Sequence, residues 1–290
     1  MKLGVIGNPR YPQTRDVLAR LEKRASDLDL DIRVEPALSE ACDCPPFGPD
    51  GPDADLDLLL TLGGDGTLLR GARAIGEAGT PIMGVNLGRV GFLNTTVPAE
   101  LPDALRRFAH GEFRLEDRQV LDGRVLGADG ELRVRGRALN DVVVHKAGVA
   151  RVVQLQVWID DDQIGQYSSD GIIVATPVGS TAYSLSAGGP LVVPGVDALV
   201  ITAICPHTLA VRPIVVSGSS TIRLVHVPPF IDDVLVSYDG QEAMSVERGG
   251  AVIVRKADIP VRLVRVGEEG FFQRVRRKLQ WGDLSDREGA

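Results

Sequence analysis

An amino-terminal Rossmann-like α/β domain with a parallel sheet, followed by a carboxyl-terminal β-sandwich-like domain (α/β plus all-β), is the fold the sequence predicts. Three observations predict it. Short β-like runs alternate with helical periodicity up to about residue 98, which implies a sheet flanked by helices. After a helical stretch near 98–109 the pattern is β almost throughout, with turn residues at regular spacing. At 290 residues the chain exceeds the usual size of one domain, and with 44% hydrophobic residues it can bury its cores without staples. The expected division is 1–98 plus 267–290 for the α/β domain and 99–266 for the all-β domain.

In chain order, KLGVI (2–6) reads as a buried strand, and a helix follows from about Pro12 with Val17, Leu18, Leu21, Ala25 and Leu28 on one face. DIRV (31–34) and LDLLLTL (56–62) are the next strands. Residues 41–55 between them crowd Pro, Gly and Asp, and predict a surface loop. Its Asp53 and Asp55, with Asp57, lack the glycine and glutamate of a calcium-binding EF-hand. A helix from Thr67 to about Ala78 and a strand over 81–86 follow. Pro12 and Pro81 fall where a missing N–H is harmless. In the second domain, strand-like runs recur at 119–126, 131–136, 140–145, 171–175, 198–204, 221–227, 233–238, 251–255 and 260–266. In RVVQLQVWID, Val153, Leu155, Val157 and Ile159 alternate with Gln154 and Gln156, giving one buried and one wetter face, and Asp160-Asp161-Asp162 supplies a turn.

Composition excludes several classes. A formal net charge of -7 argues against nucleic acid or an anionic membrane as partners. No run of 18 apolar residues occurs, and MKLGVIGNPR is broken too early by Gly7 and Pro9 for a signal peptide, so a soluble, cytoplasmic protein is expected. Three cysteines are too few and odd in number for a disulfide framework. Cys42-Asp43-Cys44 lacks the two-residue spacer and second pair of a zinc site, so these cysteines and Cys205 read as structural. The basic run RVRRKLQW (274–281) reads as a solvated or domain-bridging face. His110, His145, His207 and His226 show no metal or nucleophile spacing.

The chemistry concentrates in two stretches. In TLGGDGTLLR (61–70) a buried strand ends at Leu62, the chain turns on Gly63 and Gly64, and a helix begins after Gly66, with Thr67 as a capping candidate. That geometry sits at the carboxyl edge of a parallel sheet, where ligands bind and amides point outward. No lysine follows the glycines, so this is not a P-loop, and GxGxxG fits neither here nor at Gly4–Gly7. A carboxylate placed there is either part of a tight turn or a base that takes a proton from an attacking hydroxyl. The second stretch, DGIIVATPVGSTAYSLSAGGP (170–190), sets Ser180, Thr181, Ser184 and Ser186 around Tyr183, the combination that holds a nucleoside by stacking and hydrogen bonds.

With GGDGT (63–67), Asn140-Asp141 in ALNDVVVH, ATPVGSTAYSLSAGGP, CPHTLAVRPIVV (205–216) and SYDGQ (237–241), the chain resembles the NAD kinase family over nearly its whole length. The GGDGT loop alone also resembles diacylglycerol and sphingosine kinases; the long TAYSLSAGGP signature is similar to NAD kinases only. The resemblance implies transfer of the terminal phosphate of ATP, or of inorganic polyphosphate, to the 2′-hydroxyl of the adenosine ribose of NAD, giving NADP, with Mg²⁺ accompanying the donor. It implies Asp65 as general base, with Gly64, Gly66, Thr67 and Arg70 adjoining. Asn140 and Asp141 would meet the ribose hydroxyls and base edge. Asp170, Thr181, Ala182, Tyr183, Ser184, Leu185 and Ser186 would line the dinucleotide pocket, with Arg151, Ser168 and Gln241 nearby. The family's usual Asn-Glu is Asn140-Asp141 here, one methylene shorter, a gap that a bridging water or a shifted strand would restore. At Ser168 some members have a basic residue. Homodimers or homotetramers are expected. A carboxylate is a weak base at pH 7, so most of the acceleration must come from alignment and from neutralising charge. The rival readings are a lipid or sugar kinase, which would want an apolar groove, and a non-catalytic NAD-sensing module, which would have no use for Asp65.

Overall fold

The computed structural model describes residues 1–25, 29–48, 51–52, 55–88, 91–148, 152–227, 234–267 and 270–280. Leu28, Asp53, Arg151 and Trp281 lie outside the described residues. The chain divides into two compact units, residues 1–117 with 261–290 and residues 118–260.

The first unit is built on a six-stranded sheet of order β2-β1-β3-β4-β18-β5. Its strands are β1 (Lys2–Gly7), β2 (Asp31–Val34), β3 (Leu58–Gly63), β4 (Ile82–Asn86), β5 (Arg114–Arg118) and β18 (Val261–Arg265). The pairs β1/β2, β1/β3, β3/β4 and β4/β18 are parallel. Helix α1 (Gln13–Ala25) lays Val17, Leu18 and Leu21 in one core with Leu3, Val5, Leu58, Leu60, Leu62, Met83 and Val85, joined by Leu101 and Leu105 of α3 (Leu101–Ala109). Helix α2 (Asp65–Ile75) crosses the other face, its Gly71 against Thr61 and Leu59. With both faces covered, β3 reads as a continuous apolar run rather than an alternation. The carboxyl helix α5 (Phe271–Leu279) buries Arg274 and Val275. No helix among the described residues is long and apolar enough to cross a membrane.

Strand order reverses beside β1: β2 lies on one side and β3 on the other. The carboxyl ends of β1 and β3 therefore form a topological switch point. There Asn8 donates its N–H to the Leu62 carbonyl at 3.0 Å, and the glycine-rich stretch begins.

The second unit packs two antiparallel six-stranded sheets face to face. One has the order β10-β9-β14-β17-β6-β7 and the other β13-β12-β11-β8-β15-β16. The first comprises β6 (Leu121–Leu126), β7 (Leu132–Ala138), β9 (Val153–Ile159), β10 (Asp162–Ser169), β14 (Ile222–His226) and β17 (Ala251–Lys256). The second comprises β8 (Asp141–Lys146), β11 (Gly171–Ala175), β12 (Ala198–Ile204), β13 (Ile214–Ser217), β15 (Val234–Tyr238) and β16 (Gln241–Val246). One core joins them: Leu121, Val125, Val153, Leu155 and Val157 from one sheet, Val142, Val144, Ile172, Val174 and Val236 from the other. The single-turn helix α4 (Tyr183–Ser186) follows a 3-10 turn at Gly179–Thr181.

The boundaries differ from the expected 98/99 and 266/267. Helix α3, strand β5 and strand β18 belong to the first unit, because β18 pairs with β4 at Leu263–Ile82 and α3 fills the core over β1 and β3. An apolar strand such as 261–265 reads alike in a parallel sheet and in a sandwich.

Candidate active site

Helix α2 starts two residues earlier than its pattern predicts. Gly64 is the N-cap and Asp65 the first helical residue, and Thr67 is buried rather than capping. Gly63 has to lack a side chain, because a Cβ there would lie 2.2 Å from the Thr67 hydroxyl. An acidic residue in a first helical turn is favoured by the dipole, yet the Asp65 side chain reaches away from its own helix. Its Oδ2 accepts the Phe92 N–H at 2.7 Å. Its Oδ1 accepts from Leu93 N at 3.2 Å, Asn94 N at 3.4 Å and Asn94 Nδ2 at 3.1 Å. A run of successive amides thus grips the carboxylate.

That run is itself fixed from behind. Arg265, 5% exposed, donates from Nη1 to the Leu93 carbonyl at 2.7 Å and to Thr95 Oγ1 at 3.0 Å, and from Nε to Glu116 at 2.7 Å. Gly91 leaves room for the grip, since a Cβ at 91 would lie 2.0 Å from Asp65 Oδ1. From α5, Lys278 brings its ammonium 4.0 Å from Asp65 Oδ2 and 4.5 Å from the Phe92 ring centre. The basic run 274–281 is therefore more than a solvated face: Arg274 is buried and Lys278 stands at the carboxylate.

Arg70 is engaged within the first unit. Its guanidinium pairs with Glu35 at 2.5 Å and 3.0 Å and donates to the Gly7 carbonyl at 2.7 Å, while Glu35 Oε1 accepts the Gly7 N–H at 2.7 Å. Four groups close a clamp between the ends of β1 and β2 and the middle of α2. A lone basic residue on a helix after a loop gives no sign of such a partner in sequence.

In the second unit a cavity of about 660 Å³ opens beside β8, β15 and the turn at 239–240. Asn140, Asp141, Asp170, Ala182, Tyr183 and Gln241 come together in its wall, joined by Val143, His145, Lys146, Gly148, Ile204, Ser237, Asp239 and Gly240. Val143 and His145 follow Asp141 at the strand period of two, a signal present in sequence. Asp239 accepts the N–H groups of Leu139, Asn140 and Asp141 at 2.9, 2.7 and 3.2 Å, so the Asp-Gly turn holds the Asn-Asp pair in place. Lys146 Nζ pairs with Asp170 at 2.7 Å. Burial, with Asp239 beside it, pushes the Asp141 carboxyl up to about 7.

The hydroxyls of Ser180, Thr181 and Ser184 are engaged within the second unit. Thr181 Oγ1 donates to the Val178 carbonyl at 2.9 Å, Ser184 shares a hydrogen bond with Thr202 at 2.9 Å, and Ser180 Oγ accepts the Val192 N–H at 2.9 Å. They tie the segment to itself and to its neighbours. Tyr183 is 46% exposed at the cavity, whereas Thr181, Ser184, Leu185 and Ser186 are not in its wall. Ser168 is also outside it, accepting from Gln154 Nε2 at 3.3 Å.

The family model of the ATP-NAD kinase N-terminal domain matches residues 3–113, and that of the C-terminal domain matches residues 139–266. The chain belongs to the NAD kinase family. The NAD kinase of Gemmatimonas aurantiaca is 43% identical over 295 residues, covering 100% of this chain and 99% of that protein. That of Moorella thermoacetica is 40% identical over 283 residues, covering 97% and 90%. Among solved structures, yeast NADH kinase complexed with NADH superposes with a TM-score of 0.89 at 27% identity, covering 97% of this chain and 88% of that one. An NAD kinase from Archaeoglobus fulgidus in complex with ATP gives 0.71 at 26%, covering 97% and 99%. Like other NAD kinases, this chain is a phosphotransferase.

Proposed function

We propose that this NAD kinase seats the adenosine half of NAD in the cavity of the second unit and that Asp65 Oδ2 takes the proton of the ribose 2′-hydroxyl as that oxygen attacks the terminal phosphorus of ATP or polyphosphate, giving NADP. The observation that carries this role is the asymmetry of the carboxylate. Oδ1 accepts three N–H groups and is saturated, whereas Oδ2 accepts one and retains a lone pair for a hydroxyl. A base must reach the proton it removes and must not rotate away, and the amides of 92–94 supply the fixed aim.

The cavity suits a nucleoside in size and chemistry. About 660 Å³ lies within the range of small-molecule sites, the Tyr183 ring offers a stacking face, and Asp141 and Asp170 offer acceptors for ribose hydroxyls. The Lys146 ammonium offsets the Asp170 charge, and Lys278 is a cation within reach of the oxygen that would gain a proton.

Magnesium would neutralise charge on the donor's phosphates. The Asp65 carboxylate does not suit it as a dedicated site, because Oδ1 is taken up by N–H donors, Oδ2 keeps a single lone pair, and hard Mg²⁺ wants several oxygen ligands. No step above passes through a metal held by protein side chains.

The test is NADP formation from purified protein with ATP or polyphosphate against NAD or NADH, for wild type and Asp65→Asn. Turnover should fall by about 10²–10⁴ while NAD affinity changes little. Equal losses in binding and turnover would make Asp65 a binding contact instead.

A further inference from the structure

We propose that Glu22, Cys42 and Cys44 form a binding site for a thiophilic divalent cation of the Zn²⁺ class, in the first unit and apart from the kinase chemistry. Their donor atoms, one carboxylate oxygen and two Sγ, all lie within 4.8 Å of one another. Ligand atoms on a tetrahedral zinc stand roughly 3.3–3.8 Å apart, given bond lengths of about 2.0–2.3 Å, so closing on one ion needs contraction of about 1.5 Å at most. Side-chain rotation alone can supply that.

The third ligand is what the Cys-x-Cys spacing could not reveal. It comes from α1, twenty residues upstream in the chain, and is already oriented: the Asp43 N–H donates to Glu22 Oε1 at 2.6 Å, and Cys44 Sγ lies 3.7 Å from that oxygen. Cys42 Sγ is held 3.7 Å from the Leu38 carbonyl. A backbone donor that aims a ligating carboxylate is the usual outer support of a metal site. A pair of merely structural thiols needs no carboxylate aimed at it, and neither does a Cys42–Cys44 disulfide.

Two sulfurs and one oxygen select zinc-like ions over Mg²⁺ and Ca²⁺. Asp43 and Pro45 are exposed, so a fourth position stays open to water. The mechanical effect would be local. Residues 45–47 run beside β2 through Val34 N to the Pro45 carbonyl at 3.0 Å and Phe47 N to the Val34 carbonyl at 2.7 Å. A bound ion would pin the last turns of α1 to that segment and stabilise the folded state by linkage.

The full chain, reduced and stripped with chelator, is titrated with Co²⁺ as the probe. One equivalent per chain should produce a near-ultraviolet sulfur-to-cobalt charge-transfer band and intense visible tetrahedral bands, both lost on adding Zn²⁺, and Zn²⁺ should raise the melting temperature. Cys42→Ser/Cys44→Ser should abolish the bands and Cys205→Ser should keep them. Glu22→Gln changes only a partly exposed helix position and so should fold. It should weaken Co²⁺ binding at least about tenfold. Absence of the charge-transfer band, its survival in the double variant, its loss in Cys205→Ser, or unchanged affinity in Glu22→Gln would each overturn the site. So would recovery of protein purified without reductant as a metal-free Cys42–Cys44 disulfide.

Discussion

Three N–H groups on one oxygen and one on the other make the two halves of the Asp65 carboxylate chemically unlike. If Oδ2 is the half that works, a cation 4.0 Å from it should matter for rate and little for NAD binding. Lys278→Met is expected to lower kcat about tenfold or more with an unchanged NAD dissociation constant, and Lys278→Arg to recover part of it. Steady-state kinetics beside equilibrium dialysis separates the two effects. At Asp141 the sign of the pH effect follows from its raised pKa. The folded state holds the proton more tightly than the unfolded one, so stability is fullest in acid and declines as pH rises toward about 7. Asp141→Asn should remove that decline, leaving the variant more stable than wild type by on the order of 4 kcal/mol near pH 8, and close to it near pH 4. Urea melts at the two pH values check this. In sequence Asp65 stands out through its glycine-flanked turn at a strand end, and Asp141 only through the family resemblance. The amides of 92–94 and Lys278 do not, since only tertiary folding brings positions so distant in sequence to one carboxylate.

Among elements, the segment 91–94 and the clamp between the end of β1 and the middle of α2 make separable claims. Gly91→Ala forces a methyl group into the Asp65 carboxylate. The expected result is loss of turnover approaching that of Asp65→Asn, with near-wild-type NAD affinity in the second unit. Arg70→Ala tests the clamp. Glu35 is 9% exposed, and losing its guanidinium partner should cost about 2–3 kcal/mol in a urea melt while leaving the Michaelis constant for NAD nearly unchanged. A substrate-contacting Arg70 would show the reverse. Strands with a clean period, such as β9, or a continuous apolar run, such as β3 and β12, were readable. RLEDR of β5 and DQIGQYSS of β10 were not: both strands sit at sheet edges, where polar side chains face solvent and no alternation is imposed. The hydroxyl-rich stretch 180–186 reads both ways in sequence, because a loop's internal hydrogen bonds and a ligand's polar contacts draw on the same residue types.

At the scale of the molecule, a change of periodicity announced two units, but the sheet of the first is discontinuous in sequence, and apolar strands carry no label for the sheet they join. Residues 118–260 are inserted between β5 and β18, and β18 lies between β4 and β5 in the finished sheet. Truncation after Pro260 should leave β4 with an unpaired edge and strip Lys278 from Asp65. The product is expected to be aggregation-prone and inactive, as sedimentation and NADP assay would show. The same arrangement sets an order of events during synthesis. A ribosome delivers β1 to β5 first, yet their sheet must wait with a gap between β4 and β5 until the sandwich has emerged and the closing strand arrives. The nascent chain thus carries a half-built nucleotide domain for about half of its translation, and that interval is when a chaperone, or a protease, would find it.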